Sequence, residues 1–209
     1  MSLVRAVASA PLTFAWLLVL FVTTRIQRSA GRHGSRRIQK HHSTNLRRLR
    51  TEPSRVLVTS LFWLDEPRWW PYVPVFVGLL APAERRLRWW RWLLTGVSAH
   101  VVATYMGQAY LRRSISKSRA PRRLVNARDV GVSYFVFGVA GAASKYVEPP
   151  WRLRCQAGVV AALVVNVALR PTFTEVGHLS AFVVGLVGAQ SMTCIVKDGP
   201  SRFNGDPKS

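Results

Sequence analysis

Uncharged apolar blocks are the feature of this sequence that most constrains its fold. The blocks are 6–24, 69–83, 92–111, 130–147, 155–169 and 176–196. The first, third and last contain no Asp, Glu, Lys or Arg, and each is long enough for a helix to cross about 30 Å of hydrocarbon. The others are shorter, or contain prolines, a lysine or an asparagine. Because irregular backbone is too costly in lipid, the blocks predict an all-α fold, a polytopic membrane bundle of six transmembrane helices.

The composition supports a membrane protein. Of 209 residues, 49% are hydrophobic, yet 30 Lys and Arg face only 9 acidic residues, a combination rare in soluble domains. Seven of the eight tryptophans lie at or just outside the ends of the blocks, where an interfacial aromatic belt would place them. We therefore predict one integral membrane domain, 1–196, and a disordered polar tail, 197–209. The high Arg content and the lack of organelle-targeting features favour a bacterial plasma membrane.

A long basic loop, 25–68, separates the first two blocks. Its front half, "RIQRSAGRHGSRRIQKHHSTNLRRLR", is dense in arginine. Clustered cations can bind nucleic acid, but beside a membrane they contact anionic lipid headgroups or set orientation, so we predict headgroup contact and no nucleic acid. Its apolar stretch "VLVTSLFWL", 56–64, is too short to cross and predicts an interfacial or re-entrant element. The loop histidines lack cysteine or carboxylate partners at ligand spacing, so we predict no metal site.

The distribution of positive charge predicts an orientation. Loops 25–68 and 112–128 carry most of the Lys and Arg that lie outside the blocks. The positive-inside rule therefore predicts that these two loops are cytoplasmic and that both termini lie outside.

Polar residues inside the blocks are candidates for cross-helix contacts or for chemistry. His100 lies in a stripe of small residues on the third block and predicts a packing face with a hydrogen-bonded histidine. Asn166, alone in the fifth block, predicts a hydrogen bond to another helix. Neither residue type by itself indicates a catalytic site.

A serine and a histidine in two other blocks could meet. We interpret Asp129 as the N-cap of the fourth helix, which puts Ser133 in its first turns, where backbone amides can stabilise an oxyanion. A serine hydroxyl needs a base to act as a nucleophile. His178 starts the sixth block at the same relative depth and on the same side of the bilayer, and the small residues around it allow close helix approach. A Ser133–His178 pair is therefore predicted, although no third orienting group is evident.

The order of these elements resembles the rhomboid family of intramembrane serine proteases. "GVS" at 131–133 is similar to the family's Gly-x-Ser-Gly motif, "GHLSAFVVGL" at 177–186 resembles its His motif, and "LLAPAERRL" at 79–87 resembles the Glu-bearing end of its second helix. The resemblance implies that Ser133 is a nucleophile and His178 a general base. It implies cleavage of transmembrane protein substrates without a cofactor.

Three departures from the family pattern affect this interpretation. Tyr134 stands where the serine motif ends in Gly, and alignment through Glu84 puts Arg68 and Tyr72 where the family has an oxyanion-binding His and Asn. Gly131, Tyr134, Arg68 and Tyr72 are therefore our candidates for residues that line the site or contact the oxyanion. The family also places both termini in the cytoplasm, opposite to the charge-based prediction.

Two functional hypotheses follow from the resemblance and its departures. The first is a rhomboid-like serine endopeptidase that cleaves transmembrane proteins through a Ser–His dyad. The alternative is a proteolytically inactive rhomboid-like protein that binds or retains membrane-protein partners.

Overall fold

The computed structural model of the protein describes the backbone of residues 3–197 and the side chains of residues 5–189 except at 6, 32 and 40. All regular secondary structure in this range is helical, which confirms the predicted all-α fold. The predicted disordered tail begins at Lys197, the last residue of the final helix, and otherwise lies outside the described residues.

Eleven α-helices and several tighter or wider helical turns make up the described chain. The helices are α1 Leu3–Ser9, α2 Pro11–Ser29, α3 Gly31–His42, α4 Leu46–Thr51, α5 Pro53–Thr59, α6 Val73–Val75, α7 Ala81–Leu87, α8 Trp89–Ser116, α9 Gly131–Ala143, α10 Trp151–Leu169 and α11 Phe173–Lys197. A 3₁₀ turn, Trp70–Tyr72, precedes α6, and a π-helical segment, Phe76–Leu80, joins α6 to α7. Residues 70–87 therefore form one irregular helical rod.

Each apolar block coincides with helical structure, but the boundaries differ from the prediction. The first block is interrupted at Ala10, between α1 and α2. The ring of Pro11 disfavours helical backbone at the preceding residue, and Ala10 adopts φ −146° and ψ 63°. α2 then continues to Ser29, five residues beyond the predicted end of the block.

The centre of the fold is formed by α8, α9 and α11, whose backbones approach closely through small residues. A Cβ atom at Gly138 would overlap Ala99 of α8, and one at Gly185 would overlap the carbonyl oxygen of Gly138. A Cβ at Gly141 would overlap the carbonyl oxygen of Phe182. In lipid the hydrophobic effect does not hold helices together, so close van der Waals packing of this kind is what stabilises their association.

A buried glutamate joins α2 to α7. Glu84 is 3% exposed, and its carboxylate accepts from the Leu12 amide at 3.0 Å, the Thr13 amide at 2.8 Å and the Thr13 hydroxyl at 2.7 Å. These amides lie in the first turn of α2, whose N-cap, Ala10, makes no side-chain cap bond. Glu84 therefore caps α2 from another helix, and its negative charge complements the positive end of the helix dipole.

The basic loop folds against α2 rather than extending away from it. The indole nitrogen of Trp16 donates to the Leu61 carbonyl at 2.9 Å, and the Gln27 amide donates to the Leu64 carbonyl at 3.0 Å. Val56 and Leu64 are buried. The apolar stretch 56–64 is thus a short helix and a turn that cover one end of the bundle.

The outward faces of the long helices are apolar. Large exposed apolar side chains include Leu18, Val22, Leu94, Met106, Val165, Leu169 and Val183. Among the described residues, α10 is the one helix whose length and hydropathy suffice to cross a membrane. Only 6% of its apolar stretch is buried inside the protein.

The contact between Glu84 and α2 generates a stability prediction. We expect Glu84→Ala to lower the free energy of unfolding by about 2–4 kcal/mol, because buried donors then lose their acceptor. Thermal unfolding in detergent micelles measures the change. Glu148→Ala, at an exposed glutamate before α10, is the matched control and should shift the midpoint little. Equal midpoints for both variants would contradict the proposed cap.

Candidate active site

Ser133 lies in the first turn of α9, at the end of the bundle that the basic loop covers. The helix begins at Gly131, whose amide donates to the Ser60 carbonyl at 3.0 Å. A Cβ at Gly131 would overlap the His100 ring, so a larger residue would push α9 away from α8. The glycine of the "GVS" sequence thus sets the position of the helix start that carries the serine.

The predicted N-cap of this helix is wrong. Val130 occupies the N-cap position in extended conformation, and no side chain makes a cap bond there. The Asp129 carboxylate instead accepts from the Tyr134 hydroxyl at 2.8 Å. The Asp129 carboxylate therefore binds the Tyr134 hydroxyl in place of the backbone amides that an N-cap would bind.

The structure brings Ser133 and His178 together. The Ser133 Oγ atom lies 3.1 Å from the His178 Nε2 atom, which is hydrogen-bond distance. His178 lies in the second turn of α11, directly after Gly177, where a Cβ would overlap the Tyr134 ring. A proton can pass directly from the hydroxyl to the imidazole at this separation.

Two aromatic rings hold the imidazole in place. The Phe137 ring centroid lies 4.6 Å from that of His178 at an interplanar angle of 34°. The Tyr134 ring lies 5.5 Å away, nearly edge-on at 68°. Both rings belong to α9, so the helix that carries Ser133 also limits the orientations of the histidine.

The other imidazole nitrogen faces a carboxylate that sequence reasoning did not assign to the site. His178 Nδ1 lies 3.4 Å from Glu175 Oε2, one turn earlier on α11. The same oxygen accepts from the Asn166 side-chain amide of α10, which confirms the predicted cross-helix bond of Asn166. The signal that could have found Glu175 is its spacing, because residues three apart share a helix face.

Tyr134 replaces the family's glycine without separating the serine from the histidine. Its side chain is 0% exposed, and its ring occupies space left by Gly177. A Cβ at Gly107 would lie 3.7 Å from the Tyr134 hydroxyl. The phenol therefore packs beside the pair, between α9, α8 and α11, and leaves the Ser133–His178 contact intact.

The other candidate residues lie in different surroundings. The exposed Arg68 side chain pairs with Glu66, and the half-buried Tyr72 ring packs edge-on against Phe76 at 6.5 Å. The described hydrogen bonds of Ser133 and His178 involve neither residue. A role for Arg68 and Tyr72 in oxyanion binding stays a prediction.

His100 has the packing role that its sequence context indicates. It is 1% exposed, and its Nε2 atom lies 3.1 Å from the Leu57 carbonyl and 3.3 Å from the Ser60 hydroxyl. Its small-residue stripe is buried along α8. His100 thus connects α8 to the loop that covers the site.

Comparison with known proteins agrees with this architecture. The sequence matches the family described as rhomboid-like protein over residues 5–196. The chain belongs to this rhomboid-like family, which confirms the resemblance seen in the sequence. Searches of curated proteins and of solved structures give no match. Family membership, together with the apolar outward faces, supports an integral membrane protein.

The close contact of α9 with α11 generates the second prediction. We expect Gly185→Ala to lower the free energy of unfolding by about 1–3 kcal/mol, because the new Cβ meets the backbone of Gly138. Gly188→Ala, one turn later, is the matched control, since a Cβ there has no described atom within 4 Å. The control should be neutral or stabilising by up to about 1 kcal/mol. Thermal unfolding in micelles should give a lower midpoint for Gly185→Ala than for the wild type and no lower midpoint for Gly188→Ala, and equal shifts would contradict the contact.

Proposed function

We propose that the protein is an intramembrane serine endopeptidase in which Ser133 is the nucleophile and His178 the general base. The observation that carries the proposal is the 3.1 Å separation between Ser133 Oγ and His178 Nε2. The imidazole is also confined by two aromatic rings and faces a carboxylate with its other nitrogen. These features match the requirements for an activated serine.

The protonation of the imidazole follows from its neighbours. A carboxylate only accepts hydrogen bonds, so the Nδ1 atom facing Glu175 carries the ring proton. In the neutral ring, Nε2 then has a free lone pair directed at the Ser133 hydroxyl. This is the tautomer that a general base needs.

The reaction then proceeds by acyl transfer. Ser133 Oγ attacks the carbonyl carbon of a substrate peptide bond as His178 Nε2 takes the hydroxyl proton, and a tetrahedral oxyanion forms. The imidazolium returns that proton to the leaving amine as the C–N bond breaks, leaving an acyl ester on Ser133. Water, deprotonated by His178, hydrolyses the ester and restores the serine. The first turn of α9 presents the positive end of its dipole to the oxyanion.

An apolar cavity supports a transmembrane segment as the substrate. The cavity has a volume of about 380 Å³ and lies between the rod 70–87, α9, α10 and α11, with Leu79, Pro82, Val159 and Phe182 in its lining. Phe137 also lines it and packs on the His178 ring. An apolar chain bound in this cavity would lie one side chain away from the imidazole.

We further propose that six helical segments cross the membrane: α2, the rod 70–87, α8, α9, α10 and α11. The exposed apolar side chains of α2, the rod, α8, α10 and α11 supply a lipid-facing surface, and α9, none of whose residues is exposed, lies among these segments. The basic loop lies at the Ser133 end of the bundle, because the Thr44 amide donates to the Asp129 carbonyl. The arginines of α3 and α4 would contact anionic headgroups on that side, in a bacterial plasma membrane.

The proposed activity predicts covalent labelling of Ser133. Detergent-purified protein should react with a fluorophosphonate probe, and Ser133→Ala should abolish labelling because the nucleophile is gone. His178→Ala should slow labelling by about a thousandfold or more, since the hydroxyl loses its base. In-gel fluorescence measures the adduct, and peptide mass spectrometry locates it.

The matched control for this experiment is Ser180→Ala. Ser180 lies on α11 close to His178 in sequence, but its hydroxyl donates to the Val176 carbonyl of its own helix. This variant should label like the wild type. Folded wild-type protein that neither labels nor cleaves a reconstituted transmembrane substrate would refute the protease and favour non-enzymatic binding of membrane proteins.

A further inference from the structure

The start of α11 contains half of a capping box. The sequence from Thr172 to Glu175 has the Thr-x-x-Glu pattern of this motif, in which each side chain accepts a hydrogen bond from the other residue's amide. The Glu175 amide lies 3.3 Å from the Thr172 hydroxyl, as the motif requires. The Thr172 amide, however, donates to the Arg170 carbonyl at 2.7 Å. The usual capping bond of the Glu175 carboxylate is therefore replaced.

The Glu175 carboxylate points to the candidate active site instead. Its Oε2 atom lies 3.4 Å from His178 Nδ1 and accepts from the Asn166 amide. The side chain is 20% exposed, and that of His178 is 16% exposed. A partly buried charge in an apolar bundle is costly unless it is paired, so these two contacts account for its position.

Asn166 restricts the carboxylate from a second helix. A glutamate side chain has several rotatable bonds, and a single contact leaves much of that freedom. α10 has one buried described residue, Leu163, so most of the helix faces outward and is apolar. A polar amide on such a helix is costly unless it forms a hydrogen bond. Here the Asn166 amide binds Glu175.

The four side chains form a chain of contacts from α10 to α9. Asn166 donates to Glu175, Glu175 faces His178 Nδ1, and His178 Nε2 lies 3.1 Å from Ser133 Oγ. We propose that Glu175, held in place by Asn166, is a positioning residue that fixes the tautomer and ring orientation of His178. This inference rests on the proposed function. It adds a third and a fourth member to the serine and histidine pair.

The geometry also assigns Glu175 a part in the reaction. When His178 takes the Ser133 proton, the ring becomes positively charged, and a carboxylate at 3.4 Å from Nδ1 stabilises that charge. Glu175 gains or loses no proton in this step. It acts only through the imidazole, without touching the substrate.

The test is the rate of fluorophosphonate labelling of the full chain in micelles. Glu175→Ala should lower the maximal labelling rate by about 10- to 100-fold, and the half-saturating probe concentration should stay within about twofold. Glu175→Gln retains an acceptor oxygen but not the charge, so it should recover part of the rate. A residue that only stabilises the fold would not separate the maximal rate from probe binding in this way.

Asn166 is tested against another polar side chain on the same helix. Asn166→Ala should slow labelling by about 3- to 10-fold, because Glu175 loses its restraint. The control is Arg152→Ala, since Arg152 also lies on α10 and donates to the Val147 carbonyl at 2.9 Å, away from the serine and histidine pair. The control should keep the wild-type rate. Thermal unfolding of every variant identifies any loss of folded protein.

Nitrogen-15 NMR of the His178 ring shows which ring nitrogen carries the proton, and it does so independently of any labelling or cleavage. We expect the wild type to carry its proton on Nδ1 and Glu175→Ala to show a mixture of both tautomers. Wild-type labelling rates in Glu175→Ala, or equal slowing by Asn166→Ala and Arg152→Ala, would overturn the positioning role alone. Wild-type protein that shows the Nδ1 tautomer but never labels would overturn the proposed function while retaining the contact.

Discussion

The contact on which the rest of the structure depends is the backbone approach of α9 to α11. Gly185 sits against the carbonyl oxygen of Gly138, and Gly141 against that of Phe182. A Cβ atom at either glycine would overlap the backbone of the facing helix and push the two helices apart. Only at this separation do the starts of the two helices bring Ser133 Oγ within 3.1 Å of His178 Nε2. Small residues thus determine the geometry of the polar ones.

Polar side chains inside the bundle then fix what close packing alone leaves free. Glu84 caps α2, Asp129 accepts from Tyr134, and Glu175 accepts from Asn166. Each contact joins a helix start or a loop to a residue of another helix or turn. Because an unpaired polar group in an apolar interior is costly, these bonds make one arrangement strongly preferred.

Tyr134 shows how one departure from a family pattern can be accommodated. Its phenol occupies space that Gly177 leaves free, and its hydroxyl donates to Asp129. A glycine on another helix thereby makes room for the tyrosine that replaces a glycine. Arg68 and Tyr72 have no comparable contact with Ser133, so the proposed oxyanion stabilisation relies on the start of α9.

The sequence by itself determined the helical class, the six apolar segments and the two residues that meet, because block length and depth along a helix are local properties. It also indicated that His100 and Asn166 form cross-helix hydrogen bonds. Tertiary structure alone decided their partners, the true N-cap of α9 and the contacts of Glu175 with Asn166 and His178. These depend on the rotation of each helix about its axis and on which neighbour it faces, and a single chain's pattern does not encode either directly. The contact of Glu175 with His178 could not be predicted because the local sequence around Glu175 is that of a capping box. Its second partner, Asn166, lies on another helix.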